Sequence, residues 1–128
     1  MKVLVDTHVI LWAAFSSHMI GEDAAKVIGN EANTIFVSAA SAWEIATKVR
    51  IGKLPQAEAL EKDFSAAMSG AGYTLLPITI DDALRAGRLL GNHRDPFDRM
   101  IVAQALAMDI PVISIDSKLD TFGVRRIW

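Results

Sequence analysis

Three apolar residues, Val3-Leu4-Val5, run straight into a carboxylate and a hydroxyl, Asp6 and Thr7, and a helical pattern begins at once. The apolar run reads as a short buried strand. A charge buried at its end is costly unless it finds a partner, and the natural partners are a helix N-terminus or a cation. This opening therefore calls for a buried strand and a helix N-terminus or a cation beside Asp6.

The rest of the chain supplies the strands. Apolar runs at 35–37, 73–77, 112–115 and 124–127 alternate with helical patterns over 7–15, 21–29, 38–50, 56–69, 79–90 and 95–108. Strand–helix alternation implies parallel pairing through right-handed crossovers. The expectation is an α/β fold, a three-layer α/β/α sandwich with a mainly parallel central sheet, in one domain over 1–128. Trp12 and Trp43 fall on apolar helix faces and are expected in the core. With 52% hydrophobic residues, disorder is excluded. The longest apolar run, 9–15, is too short to cross a membrane, and the first residues lack a signal-peptide layout, so a cytoplasmic location is expected. There is no cysteine, so any metal must be held by oxygen or imidazole, which favours magnesium or manganese.

In parallel sheets of this kind ligands bind beyond the carboxyl ends of the strands, where strand order reverses. Four acids can reach that edge. Asp6 follows the first strand, Glu44 lies in the helix after the second, Asp98 is in the first turn of its helix, and Asp116 follows the fourth strand. Each has a plainer role to weigh. Asp6 can cap its helix, and Asp116 can close an Asx turn. Glu44 could complete a capping box with Ser41, but the strand ends at Val37, so Ser38 is the better cap and Glu44 is left without that task. In Asp95-Pro96-Phe97-Asp98, Asp95 suits the cap and Pro96 the first helical position, which frees Asp98 as a ligand. His93, Arg94 and Arg99 cluster where a phosphate would sit, and Arg can grip phosphate oxygens in pairs. Thr7, Arg94 and Arg99 are the expected substrate contacts. Lys48, Arg50 and Lys53 read as ordinary surface. The net charge of −2 is no nucleic-acid footprint, but setting four of the 15 acids aside for cations leaves 11 against 13 bases.

Several stretches, in this order, resemble a PIN-domain ribonuclease of the VapC type, the toxin half of a bacterial toxin–antitoxin pair. They are Val5-Asp6-Thr7-His8 with Leu11-Trp12, Ser41-Ala42-Trp43-Glu44-Ile45 with Lys48, Gly52-Lys53-Leu54, His93-Arg94-Asp95-Pro96-Phe97-Asp98-Arg99, Ala103-Gln104-Ala105, Ser114-Ile115-Asp116 and the ending Ile127-Trp128. The resemblance implies a PIN fold and Mg²⁺- or Mn²⁺-dependent endonuclease activity on RNA. It maps the family's acidic set onto Asp6, Glu44, Asp98 and Asp116, with Asp98 standing before Ile101-Val102-Ala103 as the third acid does. It also implies a homodimer inhibited by a cognate VapB-like antitoxin.

Carboxylate-held metal would let water cut a phosphodiester with no Ser, Cys or His nucleophile. Rival folds fare worse. A haloacid-dehalogenase-type phosphatase wants a second Asp where His8 stands. A receiver domain wants an acid pair near the first strand and an Asp after a central one. A dinucleotide-binding fold wants glycines after the first strand. A catalytically silent PIN module and a DNA-directed nuclease remain as alternatives.

Overall fold

A computed structural model describes residues 1–128. Five strands, β1 (Lys2–Val5), β2 (Thr34–Ser38), β3 (Thr74–Leu76), β4 (Val112–Ile113) and β5 (Arg126–Ile127), form one sheet in the order β3-β2-β1-β4-β5. Every pair is parallel, with Val5 flanked by Val37 on one side and Ile113 on the other. The chain steps one way from β1 to β3, then returns past β1 to β4. The order therefore reverses between β1 and β4, and a crevice opens beyond their carboxyl ends.

β1 is central, and its side chains alternate between two cores. Val3 and Val5 pack with Ile35, Val37, Val9 and Ile45 on one face. Leu4 packs with Ala40, Ile101, Val102 and Val112 on the other. A strand covered on both faces has no polar side to show, which is why Val3-Leu4-Val5 is unbroken.

The helices are α1 (Thr7–Phe15), α2 (Glu22–Ile28), α3 (Ala39–Arg50), α4 (Glu58–Lys62), α5 (Phe64–Gly70), α6 (Ile80–Arg88) and α7 (Pro96–Met108). Their starts follow local chemistry. Asp6, Ser38, Thr79 and Asp95 each accept a backbone N–H of the first turn. Each such cap is worth about 1 kcal/mol. Gly21, before α2, lies against the C-terminal residue: a Cβ there would come within 2.8 Å of the Trp128 indole.

Three expectations are corrected. The helix over 56–69 is broken: a 3-10 turn, Pro55–Ala57, leads into α4, and Asp63, at φ −120° and ψ 36°, separates it from α5. β4 stops at Ile113 rather than reaching 115, so Ser114 to Asp116 leave the sheet and turn into the crevice edge. Trp43 is not in the core; it is 59% exposed, with the Phe97 ring edge-on at 4.8 Å.

Candidate metal centre

Asp6 is almost wholly buried, and both its oxygens are engaged. The His8 N–H donates to Oδ1 at 2.7 Å, and the Ser114 hydroxyl donates to Oδ2 at 2.5 Å. Burial works to raise its pKa, but the hydrogen bonds from His8 and Ser114 outweigh it and hold the carboxyl below its ordinary value. Asp6 thus stays ionised while capping α1. Its hydrogen bond in turn pushes the His8 imidazole up, against a burial effect of opposite sign.

Ser114 carries the crevice from β1 to the segment after β4. Its hydroxyl oxygen also accepts the Asp116 N–H at 3.0 Å. Asp116 caps the following 3-10 turn, Ser117–Phe122, through the Lys118 N–H at 3.0 Å. Asp98 comes from the opposite side. The Asp95 carboxylate accepts the N–H groups of Phe97 and Asp98 at 2.9 and 3.3 Å. Asp95 is therefore the cap, and the Asp98 side chain has no part in capping, as its sequence position suggested. Asp98 Oδ2 lies 2.8 Å from His93 Nε2. Burial pushes the Asp98 carboxyl up to about 6, and the negative charges of Asp95 and Asp6 add to the effect against the His93 hydrogen bond. A carboxyl raised by burial and by neighbouring acids is one that a cation would relieve.

One ligand atom each from His93, Asp98 and Asp116 lies within 4.8 Å of the others. Asp6, Asp98 and Asp116 line one cleft with His8, Trp12, Ile115 and Lys118. Glu44 does not line that cleft. It sits on the adjoining face of α3, where Ser41, one turn earlier, meets the Thr7 hydroxyl at 2.9 Å. The Glu44 charge nonetheless contributes to raising His8. Glu44 is 3% exposed, its Oε2 meets Lys48 Nζ at 2.5 Å, and its Oε1 has no partner at all. A buried carboxylate oxygen left unsatisfied costs at least 1–3 kcal/mol, roughly. This orphaned oxygen and the all-oxygen-and-imidazole donor set fit a hard divalent cation.

The expected substrate contacts divide. Thr7 is buried, and its hydroxyl is spent bracing α1 on Ser41. Arg99 is a brace as well. Its guanidinium donates to the carbonyls of Ala86 at 3.3 Å, His93 at 3.0 Å and Leu89, and its Cζ stands over the Phe122 ring, 5.7 Å from the ring centre. It locks the loop after α6 onto α7 and does not line the acidic cleft. Arg94 alone of the three is exposed and unpaired. Sequence reading missed Gln104, fully buried, which accepts from the Ser38 hydroxyl at 2.5 Å and donates to the Pro77 carbonyl at 3.0 Å. It also placed His93 near a phosphate rather than on Asp98. A buried Gln between Ala103 and Ala105 was the available signal for the first; nothing local signalled the second.

The fold and this edge define a class: a parallel α/β sandwich with an acidic, cation-ready centre at the reversal point of its sheet. The chain belongs to the PIN domain family, whose pattern matches residues 3–124. PIN domains are typically metal-dependent nucleases. No curated relative matches the sequence. Among solved structures, it is similar to VapBC2 from Rickettsia felis bound to a DNA fragment from their promoter, with 16% identity over 99% of this chain and 98% of that one, at a TM-score of 0.71. It is also similar to FitAcB from Neisseria gonorrhoeae, with 18% identity over 98% and 96% of the two chains, at a TM-score of 0.67. A toxin–antitoxin complex from Klebsiella pneumoniae matches at 20% identity over 91% and 88%, with a TM-score of 0.57.

Proposed function

We propose that this chain is a Mg²⁺- or Mn²⁺-dependent endoribonuclease, the toxin of a VapBC-type pair, acting as a homodimer in the cytoplasm and restrained by a VapB-like antitoxin. The observation that carries the nuclease reading is the convergence of Asp6, Asp98 and Asp116 on one cleft, beside a buried Glu44 oxygen with no partner. The toxin reading draws on the likeness to VapBC2 and FitAcB and on the ordered motifs of the sequence. No helix is long and apolar enough to cross a membrane.

Asp6, Glu44, Asp98 and Asp116 would hold the ion, with Asp6 kept ionised by Ser114 and His8. A divalent ion held there would make an attacking water more acidic and stabilise charge on the phosphate. The chain's own part is placement. Asp95 and Arg99 fix the start of α7, and so the position of Asp98; Arg94 is free to meet a phosphate at the rim. Water attacks phosphorus, the P–O3′ bond breaks, and a proton passes to the departing 3′ oxygen. The products carry a 5′-phosphate and a 3′-hydroxyl.

The test is incubation of the purified chain with total RNA and with a matched DNA duplex, in Mg²⁺ or chelator. Metal-dependent loss of RNA is expected, abolished in Asp98→Asn and retained in Asp95→Asn, because Asn caps a helix about as well as Asp. Cleavage of DNA alone would replace the substrate. Cleavage of neither would leave a silent PIN module.

A further inference from the structure

Glu–Lys pairs four residues apart occur on three helices. Glu22–Lys26 and Glu58–Lys62 are exposed at both ends, with side-chain exposures of 85% and 69%, and 67% and 70%. Such pairs are surface features. Glu44–Lys48 differs. The Glu44 side chain is 4% exposed and the Lys48 side chain 33%, with Nζ at 2.5 Å from Oε2. Lys48 therefore reaches in from the rim to a buried acid, and it meets only one of that acid's two oxygens; Oε1 has no partner.

The other acids of the centre carry no such counter-ion. Asp6 and Asp98 meet histidines, and no Lys or Arg side chain forms an ion pair with Asp6, Asp98 or Asp116. Ser41, Glu44 and Lys48 follow one another on a single face of α3, which the Thr7–Ser41 hydrogen bond presses against the start of α1. Asp6, Asp98 and Asp116 in one cleft, together with the Glu44 carboxylate buried on α3, could hold two divalent ions if no cation were built in. Four acids with one built-in ammonium have less charge to offer and one oxygen fewer.

Taking the metal-centre reading above as its basis, we propose that Lys48 is a built-in cation that occupies Glu44 Oε2, leaves only Oε1 for the metal, and so limits the centre to one divalent ion. Lys48 is a positioning residue: it acts through Glu44 and touches no reacting atom.

Titration of the purified chain with Mn²⁺, followed by calorimetry and by the paramagnetic resonance of free Mn²⁺, reads this without reference to cleavage. The wild-type chain is expected to bind one ion. Lys48→Met should bind a second ion and hold the first at least threefold tighter. Lys48→Arg, which keeps the charge, should return to one, and the double variant Lys48→Met with Glu44→Gln should not gain the second. Two ions on the wild-type chain or on Lys48→Arg overturn the proposal, and this arm decides even where Lys48→Met does not fold. One ion at unchanged affinity in a folded Lys48→Met overturns it while leaving the metal centre standing. No binding by the wild-type chain overturns both.

Discussion

Asp98→Asn should make the metal-free protein more stable while removing its metal site. In the folded chain the Asp98 carboxyl titrates at about 6, against an ordinary 3.8, chiefly because it is buried beside Asp95 and Asp6. It therefore binds its proton more tightly folded than unfolded. The stability linked to that proton is fully present below pH 3.8 and is lost as the pH climbs through about 6. At about 1.4 kcal/mol per pH unit, the loss by pH 7 is about 3 kcal/mol. The carboxylate in the first turn of α7 recovers about 0.5 kcal/mol from the helix dipole, and partial exposure trims the total further. An amide, which can keep the His93 contact, should gain about 2 kcal/mol at pH 7, or roughly 5–10 °C in melting temperature. Urea unfolding in chelator at pH 7 and below pH 4 measures it, with the gap between variant and wild type closing at the lower pH. An Asp98→Asn protein less stable than wild type at pH 7, or a gap indifferent to pH, would refute the reasoning.

Millimolar Mg²⁺ or Mn²⁺ should raise the melting temperature of the wild-type chain, by about 2.7 kcal/mol of stability at a hundredfold excess over Kd, and should not do so in Asp6→Asn; differential scanning fluorimetry reads both. Arg99→Met should cost about 2–3 kcal/mol, because three backbone carbonyls lose a charged donor, and Arg99→Lys should recover less than half by urea titration. Gln104→Leu should cost roughly 1–3 kcal/mol in the same assay, since it removes the acceptor of the buried Ser38 hydroxyl.

Local signals carried most of the fold. Caps at Ser38 and Asp95 and the unbroken Val3-Leu4-Val5 are short-range facts, readable without knowing any neighbour, whereas the sequence narrows the other two caps only to Asp6 or Thr7 and to Thr79 or Asp81, and the structure has Asp6 and Thr79. The assignment of the cap to Asp95 was legible for the same reason: a cap bonds to N–H groups two and three residues on. The break at Asp63 was not legible, because apolar spacing over 56–69 suits one helix, and only packing against α3 and β3 shows the chain turning. Trp43 misled because its apolar neighbours Ala42 and Ile45 say nothing about which residue points outward.

By itself the sequence determined an α/β sandwich, most of the helix starts, and three acids, Asp6, Asp98 and Asp116, that meet at one sheet edge, because periodicity and capping act over a few residues. Only the tertiary structure decided what those side chains do there. The Ser114 hydroxyl reaches Asp6 across 108 positions and Gln104 reaches Ser38 across 66. His93 swings onto Asp98, Arg99 turns away to three carbonyls, and Lys48 alone of its kind meets a buried carboxylate. Which polar group satisfies which is set by the elements that become neighbours, and burial makes each of those choices cost enough to be unique.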